Sequence, residues 1–139
     1  MAPKSDFTEQ DLLQDDEENY MNENQLLFFK SRLTELHEKT LARIESAKEE
    51  MVRPIQFSDD GDRASFEEQA NTALRIVDRE QKLLSKIAKS LDRIRTKEFG
   101  YCLESGEPIG LKRLLARPTA EYCTEVKERM ERREQQFKE

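Results

Sequence analysis

Two stretches of this sequence place chemistry-bearing residue types close together. The first is "SDDGDRAS", Ser58 to Ser65, where Asp59, Asp60 and Asp62 gather carboxylates in a short span. Carboxylates so placed can meet Mg²⁺, an arginine, or the catalytic loop of another macromolecule. They do not form an EF-hand, because the twelve-residue ligand order and its closing Glu are missing. The second is "FGYCLESGEPIG", Phe99 to Gly110, which begins like a zinc knuckle. Its fourth knuckle position is Ser105 rather than a second cysteine. A structural zinc site takes four nitrogen or sulfur donors. His37 is the single histidine, so it has no histidine partner for a metal and reads as a coil residue.

The elements that must position these residues are marked by glycine and proline. The glycines are Gly61, Gly100, Gly106 and Gly110, and the prolines are Pro3, Pro54, Pro108 and Pro118. Residues 4–53 and 62–99 contain neither, which leaves room for two long helices. In the second segment Phe66, Ala70, Ala73, Val77, Leu84, Ile87, Leu91 and Ile94 follow alternating steps of four and three, broken only at Glu80. That spacing is a coiled-coil seam. In the first segment Leu26, Phe29, Leu33 and Leu36 start a matching seam. It weakens through Thr40 and resumes at Ile44, Ala47 and Met51. Asn22, with Gln25 three residues on, is the expected helix cap.

Between the segments, Pro54 ends one helix, Ser58 to Gly61 supply turn chemistry, and Asp62 is the expected N-cap of the next. Two helices joined by a short loop return antiparallel. Arms of roughly 30 residues would reach about 45 Å at 1.5 Å per residue. The fold expected is mainly α: a long antiparallel coiled-coil hairpin, a small globular domain and a C-terminal helix. Its divisions are an acidic arm over 1–20, a hairpin over 21–98 with its tip at 53–63, a knuckle over 99–122 and a helix over 123–139. In the last, Tyr122, Val126 and Met130 recur every four residues. Phe99, Tyr101, Leu103, Ile109, Leu111, Leu114, Tyr122 and Val126 are the expected core of the knuckle.

Charge narrows the partners. The chain has 139 residues, 35% hydrophobic and 39% charged, with a formal net charge of −6. This composition favours elongated helices over a large compact core. The first 25 residues carry eight acids against Lys4, and the rest is close to neutral with 23 bases and 22 acids. That balance argues against general DNA coating. No apolar run approaches a membrane span, and no signal-peptide core is present, so a cytoplasmic protein with reduced thiols is expected.

The tip "DDGDRAS", the stretch "DREQKLLSKI" and "FGYC…GEPIGLKRLLARPTAEYC" together resemble the DksA/TraR family of bacterial transcription factors. "YMNENQL", Tyr20 to Leu26, is similar to that family's entry into its coiled coil. The likeness covers roughly residues 20–137, and "IGLKRLLARPTA" is its most distinctive part. It implies a non-enzymatic protein that inserts a hairpin through the secondary channel of RNA polymerase, formed with the beta-prime subunit. Such proteins do not read promoter DNA. They act with guanosine tetraphosphate (ppGpp), repressing ribosomal RNA promoters and activating some amino-acid biosynthesis promoters. A monomer is implied.

Residue by residue, the family's functional tip aspartates fall on Asp59 and Asp62, and the small residue after the tip arginine falls on Ala64. Asp60 and Gly61 stand where the family often has proline and an apolar residue. Positions that line the ppGpp site against polymerase fall on Lys86, Arg117 and Lys127, which all keep the cation a pyrophosphate needs. Arg79, Lys82, Leu83 and Arg113 match positions facing polymerase.

Zinc-bearing members place their cysteines as C-x₂-C-x₁₇-C-x₂-C. The matching positions are Cys102, Ser105, Cys123 and Val126. Val126 has no donor atom, so no structural zinc is expected, and packing is expected to hold the knuckle instead. The resemblance therefore implies a zinc-independent DksA paralogue, with Cys102 and Cys123 close in space as reduced thiols or, alternatively, as a redox pair. A Gre-like transcript cleavage factor also carries acids on a coiled-coil tip, but its globular domain is β-rich. A purely structural coiled-coil adaptor is the third reading.

Overall fold

The computed structural model describes residues 7–52 and 60–137. Its elements are α1 (Glu9–Leu13), a 3₁₀ turn (Glu17–Asn19), α2 (Glu23–Glu50), α3 (Asp60–Thr96), α4 (Leu111–Ala116) and α5 (Thr124–Phe137). The mainly helical class expected from the spacing is what forms. At 1.5 Å per residue, the 28 residues of α2 and 37 of α3 span about 42 and 56 Å. Two compact units result: Thr34–Ala88, and the chain up to Leu33 together with that from Lys89 onward.

In the unit Thr34–Ala88, the later turns of α2 pair with the earlier turns of α3. Ile44, Ala47, Ala73 and Val77 are buried, with Met51, Ile76 and Leu84 packed against them. The period-3.5 spacing puts these side chains on facing stripes, so the hairpin forms by burying them. The two expected breaks in the seam are both buried: Thr40 is fully covered and Glu80 is 6% exposed. They belong to one polar layer. Arg43 Nε donates to Glu80 Oε2 at 3.1 Å, and Arg43 Nη2 donates to Thr40 Oγ1 at 3.2 Å. Thr40 in turn donates to the Leu36 carbonyl at 2.7 Å.

The start of α3 corrects the turn expected there. Asp60, Gly61 and Asp62 lie within the helix, so Asp62 is a first-turn residue and not the N-cap. Carboxylates in a first turn favour the positive end of the helix dipole, which helps the helix begin this early despite Gly61. Asp59, Ser58 and Pro54 lie outside the described residues.

In the other unit, Leu12 of α1 and Leu114 of α4 are fully buried, and α1 packs on α4. Thr8 and Asp11 form a reciprocal capping box that starts α1. Phe29 and Phe99 pack with their rings tilted by 47° and centroids 5.4 Å apart. The seam expected at Leu91 and Ile94 is only half-buried here, while Ser90 and Arg93 are 1% and 9% exposed. Here Ser90 and Arg93, rather than the seam positions, take the inward side of α3. α3 closes with a Schellman arrangement: Glu98 N donates to Arg93 O and Lys97 N to Ile94 O, at 2.8 and 3.1 Å. Lys97 adopts the left-handed conformation that this cap requires, with φ 66°.

Candidate functional site

The knuckle is built from backbone bonds around tight turns. Cys102 N donates to Glu107 O at 2.8 Å, Gly106 N to Cys102 O at 2.9 Å and Ile109 N to Gly100 O at 2.8 Å. Leu103 N reaches across to Glu121 O at 2.9 Å and brings the second cysteine segment alongside. Phe99, Ile109, Leu114 and Val126 are buried as expected, while Tyr101, Leu111 and Tyr122 are half-buried. Leu103 departs from the expectation, at 54% exposed. It lies in the turn that Gly106 N closes onto Cys102 O, and Cys102 takes the core at 3% exposed. Tyr122 also precedes α5, which starts at Thr124.

The stretch "YMNENQ" locks this knuckle to α2. The Tyr20 hydroxyl donates to the Gly100 carbonyl at 2.6 Å and accepts from Gly110 N at 3.0 Å. Burial pushes its pKa up, and the Gly110 N–H opposes that only in part. Tyr101 packs edge-on against Tyr20 at 5.6 Å. Asn22 Oδ1 accepts from Gln25 N at 3.0 Å, the expected cap bond. Gln25 Oε1 accepts from Met21 N rather than Asn22 N, and Gln25 Nε2 donates to Asp15 Oδ2 at 3.1 Å. The Asn19 and Gln25 amides hold the Asp15 carboxyl below its usual range.

The two cysteines meet at one hydroxyl. Ser105 Oγ is 3.9 Å from Cys123 Sγ and also hydrogen-bonds the Cys102 thiol. Burial alone would raise the Cys102 pKa. The Ser105 hydroxyl and the N–H groups of Ser105, Cys123 and Glu104 outweigh it and bring the thiol from 9.0 down to about 6. Both cysteines are free thiols. Val126, expected from the resemblance at the fourth ligand position, is 2% exposed. Among the described residues, no group of three or more His, Cys, Asp or Glu side chains is arranged to hold a metal ion. The donor set of Cys102, Ser105, Cys123 and Val126 does not fit tetrahedral zinc.

On α3, Arg79, Lys82, Leu83 and Lys86 follow helical spacing that puts them on one stripe. Arg79 Nη2 is 3.7 Å from Glu80 Oε1, and Lys82 pairs with Asp78 at 3.2 Å. Lys86 is exposed, and Leu83 is half-buried. These four lie in the unit Thr34–Ala88, while Arg113, Arg117 and Lys127 lie in the other. Arg113 Nε donates to the Tyr122 carbonyl at 3.0 Å, so it ties α4 to the second cysteine segment. Arg117 is exposed at the end of α4, and Lys127 is half-buried in the first turn of α5. Ala64 and Asp62 are exposed near the start of α3. Sequence reasoning missed the Thr40–Arg43–Glu80 layer and the Tyr20 clamp. The coincidence of two seam breaks was the available signal for the first.

Residues 25–94 match the family described as the N-terminal domain of DnaK suppressor protein DksA. Residues 97–132 match the prokaryotic dksA/traR C4-type zinc finger. The chain belongs to the DksA/TraR family. It is 40% identical to the RNA polymerase-binding transcription factor DksA of Caulobacter vibrioides, over 96% of this chain and 92% of that one. The protein of the same description from Haemophilus influenzae is 42% identical over 86% of this chain and 83% of its own. The solved structure of transcription factor DksA2 from Pseudomonas aeruginosa superposes with a TM-score of 0.81 at 46% identity, covering 92% of this chain and 99% of that one. The stretch matched to the C4-type zinc finger holds two cysteines, Cys102 and Cys123.

Proposed function

We propose that this chain is a non-enzymatic regulator of transcription initiation that binds RNA polymerase through the secondary channel and acts without zinc. The observation that carries this reading is the α2–α3 hairpin pairing in Thr34–Ala88, with Asp62 in the first turn of α3. A slender helix pair can enter a channel that a globular domain cannot. The relatives named as RNA polymerase-binding transcription factors support the partner. Asp59, Asp62 and Ala64 would act at the hairpin tip near the polymerase active site. Arg79, Lys82, Leu83 and Arg113 would contact polymerase. Lys86, Arg117 and Lys127 would complete a ppGpp site against its surface, where fixed cations suit a pyrophosphate. Ribosomal RNA promoters would be repressed and amino-acid biosynthesis promoters activated. Zinc independence is supported by the buried Val126 and by the backbone and Tyr20 bonds that already hold the knuckle.

The test separates binding from effect. Asp59→Asn with Asp62→Asn should leave polymerase affinity largely intact while abolishing initiation control, because the hairpin body supplies the binding area. Parallel loss of affinity and activity would contradict that division.

A further inference from the structure

Eight of the first 25 residues are acidic, yet several side chains of this arm are fastened into the fold. We propose that residues 8–22 form a bracket that positions α4, with the Tyr20 hydroxyl as the positioning group on which the ppGpp response depends. This rests on the reading of Arg117 as one cation of a ppGpp site.

The bracket and α4 lie in one compact unit. α1 packs on α4, and each contributes one fully buried leucine, Leu12 and Leu114. The same segment is tied to α2. Arg32 Nη2 donates to Glu9 Oε2 at 3.0 Å, and Gln25 Nε2 donates to Asp15 Oδ2 at 3.1 Å. The first bond is exposed and worth little, whereas Gln25 is fully buried and needs its partner. Asn19 Nδ2 donates to Asp15 Oδ1 at 2.6 Å, which closes the 3₁₀ turn and delivers the chain to Tyr20 along a fixed path. Tyr20 then reaches the residue where α4 begins. Its hydroxyl accepts from Gly110 N at 3.0 Å and donates to the Gly100 carbonyl at 2.6 Å. Gly110 is the N-cap of α4, and its φ of 104° suits glycine, which brings no side chain to cap the helix. Its carbonyl accepts from Leu114 N at 3.1 Å. The N–H of Gly110 is thus held by Tyr20 and its carbonyl by the first turn of α4. A helix of six residues has no stability of its own, so what holds its ends sets where it points. Arg117 is its C-cap, with its N–H on the Arg113 carbonyl at 2.8 Å. A charged contact to a pyrophosphate weakens when its anchor wanders by about an ångström. Asp62 belongs to the other unit and makes no use of this bond, so the loss should fall on the ppGpp response and spare the basal effect.

The experiment is a ppGpp titration of initiation by purified RNA polymerase at a ribosomal RNA promoter, with the full chain and with Tyr20→Phe. Phenylalanine keeps the ring edge-on against Tyr101 and removes only the hydroxyl. The variant should need roughly tenfold more ppGpp for half-maximal inhibition, as loss of one well-made hydrogen bond implies. Its inhibition without ppGpp should match that of the unaltered chain. Amide hydrogen exchange should quicken at Gly110, with the circular dichroism spectrum unchanged. Leu12→Ala, which trims the α1 side of the contact, should move the ppGpp midpoint the same way, and it decides the matter if Tyr20→Phe does not fold. An unmoved midpoint in the folded variant would overturn the proposal. So would equal loss of basal and ppGpp-dependent inhibition, which marks a merely structural role. An unaltered chain that ignores ppGpp overturns the ppGpp site and the bracket's role together, whereas a responsive chain with an unmoved variant overturns only the bracket.

Discussion

The Ser105 hydroxyl acts with the N–H groups of Ser105, Cys123 and Glu104 to hold the Cys102 thiol below its ordinary pKa. Its bond to Cys102 is the largest of the contacts that favour the thiolate against burial. Ser105→Ala should therefore move the Cys102 titration upward from about 6 towards its ordinary 9.0, read from ultraviolet thiolate absorbance against pH. An unchanged titration would show that the backbone N–H groups suffice. A thiol depressed by folding stabilises the fold fully above its unfolded pKa, and that stability is lost as pH falls through about 6. The stability profile of Ser105→Ala should accordingly rise less between pH 6 and pH 9. Gly100 is the second decisive residue. It has φ 92°, and a Cβ added there would lie 2.7 Å from Met21 Cγ. Gly100→Ala should cost about 1–3 kcal/mol in a denaturant melt, from overpacking and left-handed strain together. A stability loss below the error of the melt would mean that Met21 moves aside freely. The glycine was legible in the sequence as a turn. Its contact with Met21 was not, because the partner lies far away along the chain.

At the scale of elements, the two helices read clearly because long apolar periodicity has one cheap solution, burial on a facing stripe. Their imperfections were visible without their meaning. Thr40 and Glu80 each looked like a weakening, yet Arg43 joins them into one layer. Such a layer suits register more than stability, since an apolar replacement of a buried ion pair is often neutral or stabilising. Arg43→Ala should leave the Glu80 carboxylate buried and destabilise the hairpin by about 1–2 kcal/mol, moderated because Arg43 is 47% exposed. Glu80→Leu should restore the seam and be neutral or better. Thermal melts of the two variants check this, and a larger loss in Glu80→Leu than in Arg43→Ala would refute the layer's assigned role. The boundary at Asp60 was misread for a related reason. Asp and Gly favour turns, but the same aspartates are also good first-turn residues, and helix propagation won.

For the molecule as a whole, the family likeness was carried by dispersed motifs, and the structure gives several of them a physical job. "YMNENQ" clamps the knuckle through Tyr20 and caps α2 through Asn22. "EYC" returns the second cysteine to Ser105. The knuckle's turns are closed by backbone bonds, and Val126 is buried. The account therefore requires that polymerase control survive the complete removal of zinc. The most direct measurement is initiation by purified RNA polymerase at a ribosomal RNA promoter, titrated with zinc-free protein, with and without ppGpp. The account predicts inhibition by the zinc-free protein, deepened by ppGpp and unchanged on adding back zinc. Inhibition that appears only after zinc loading, or none in either form, would contradict it.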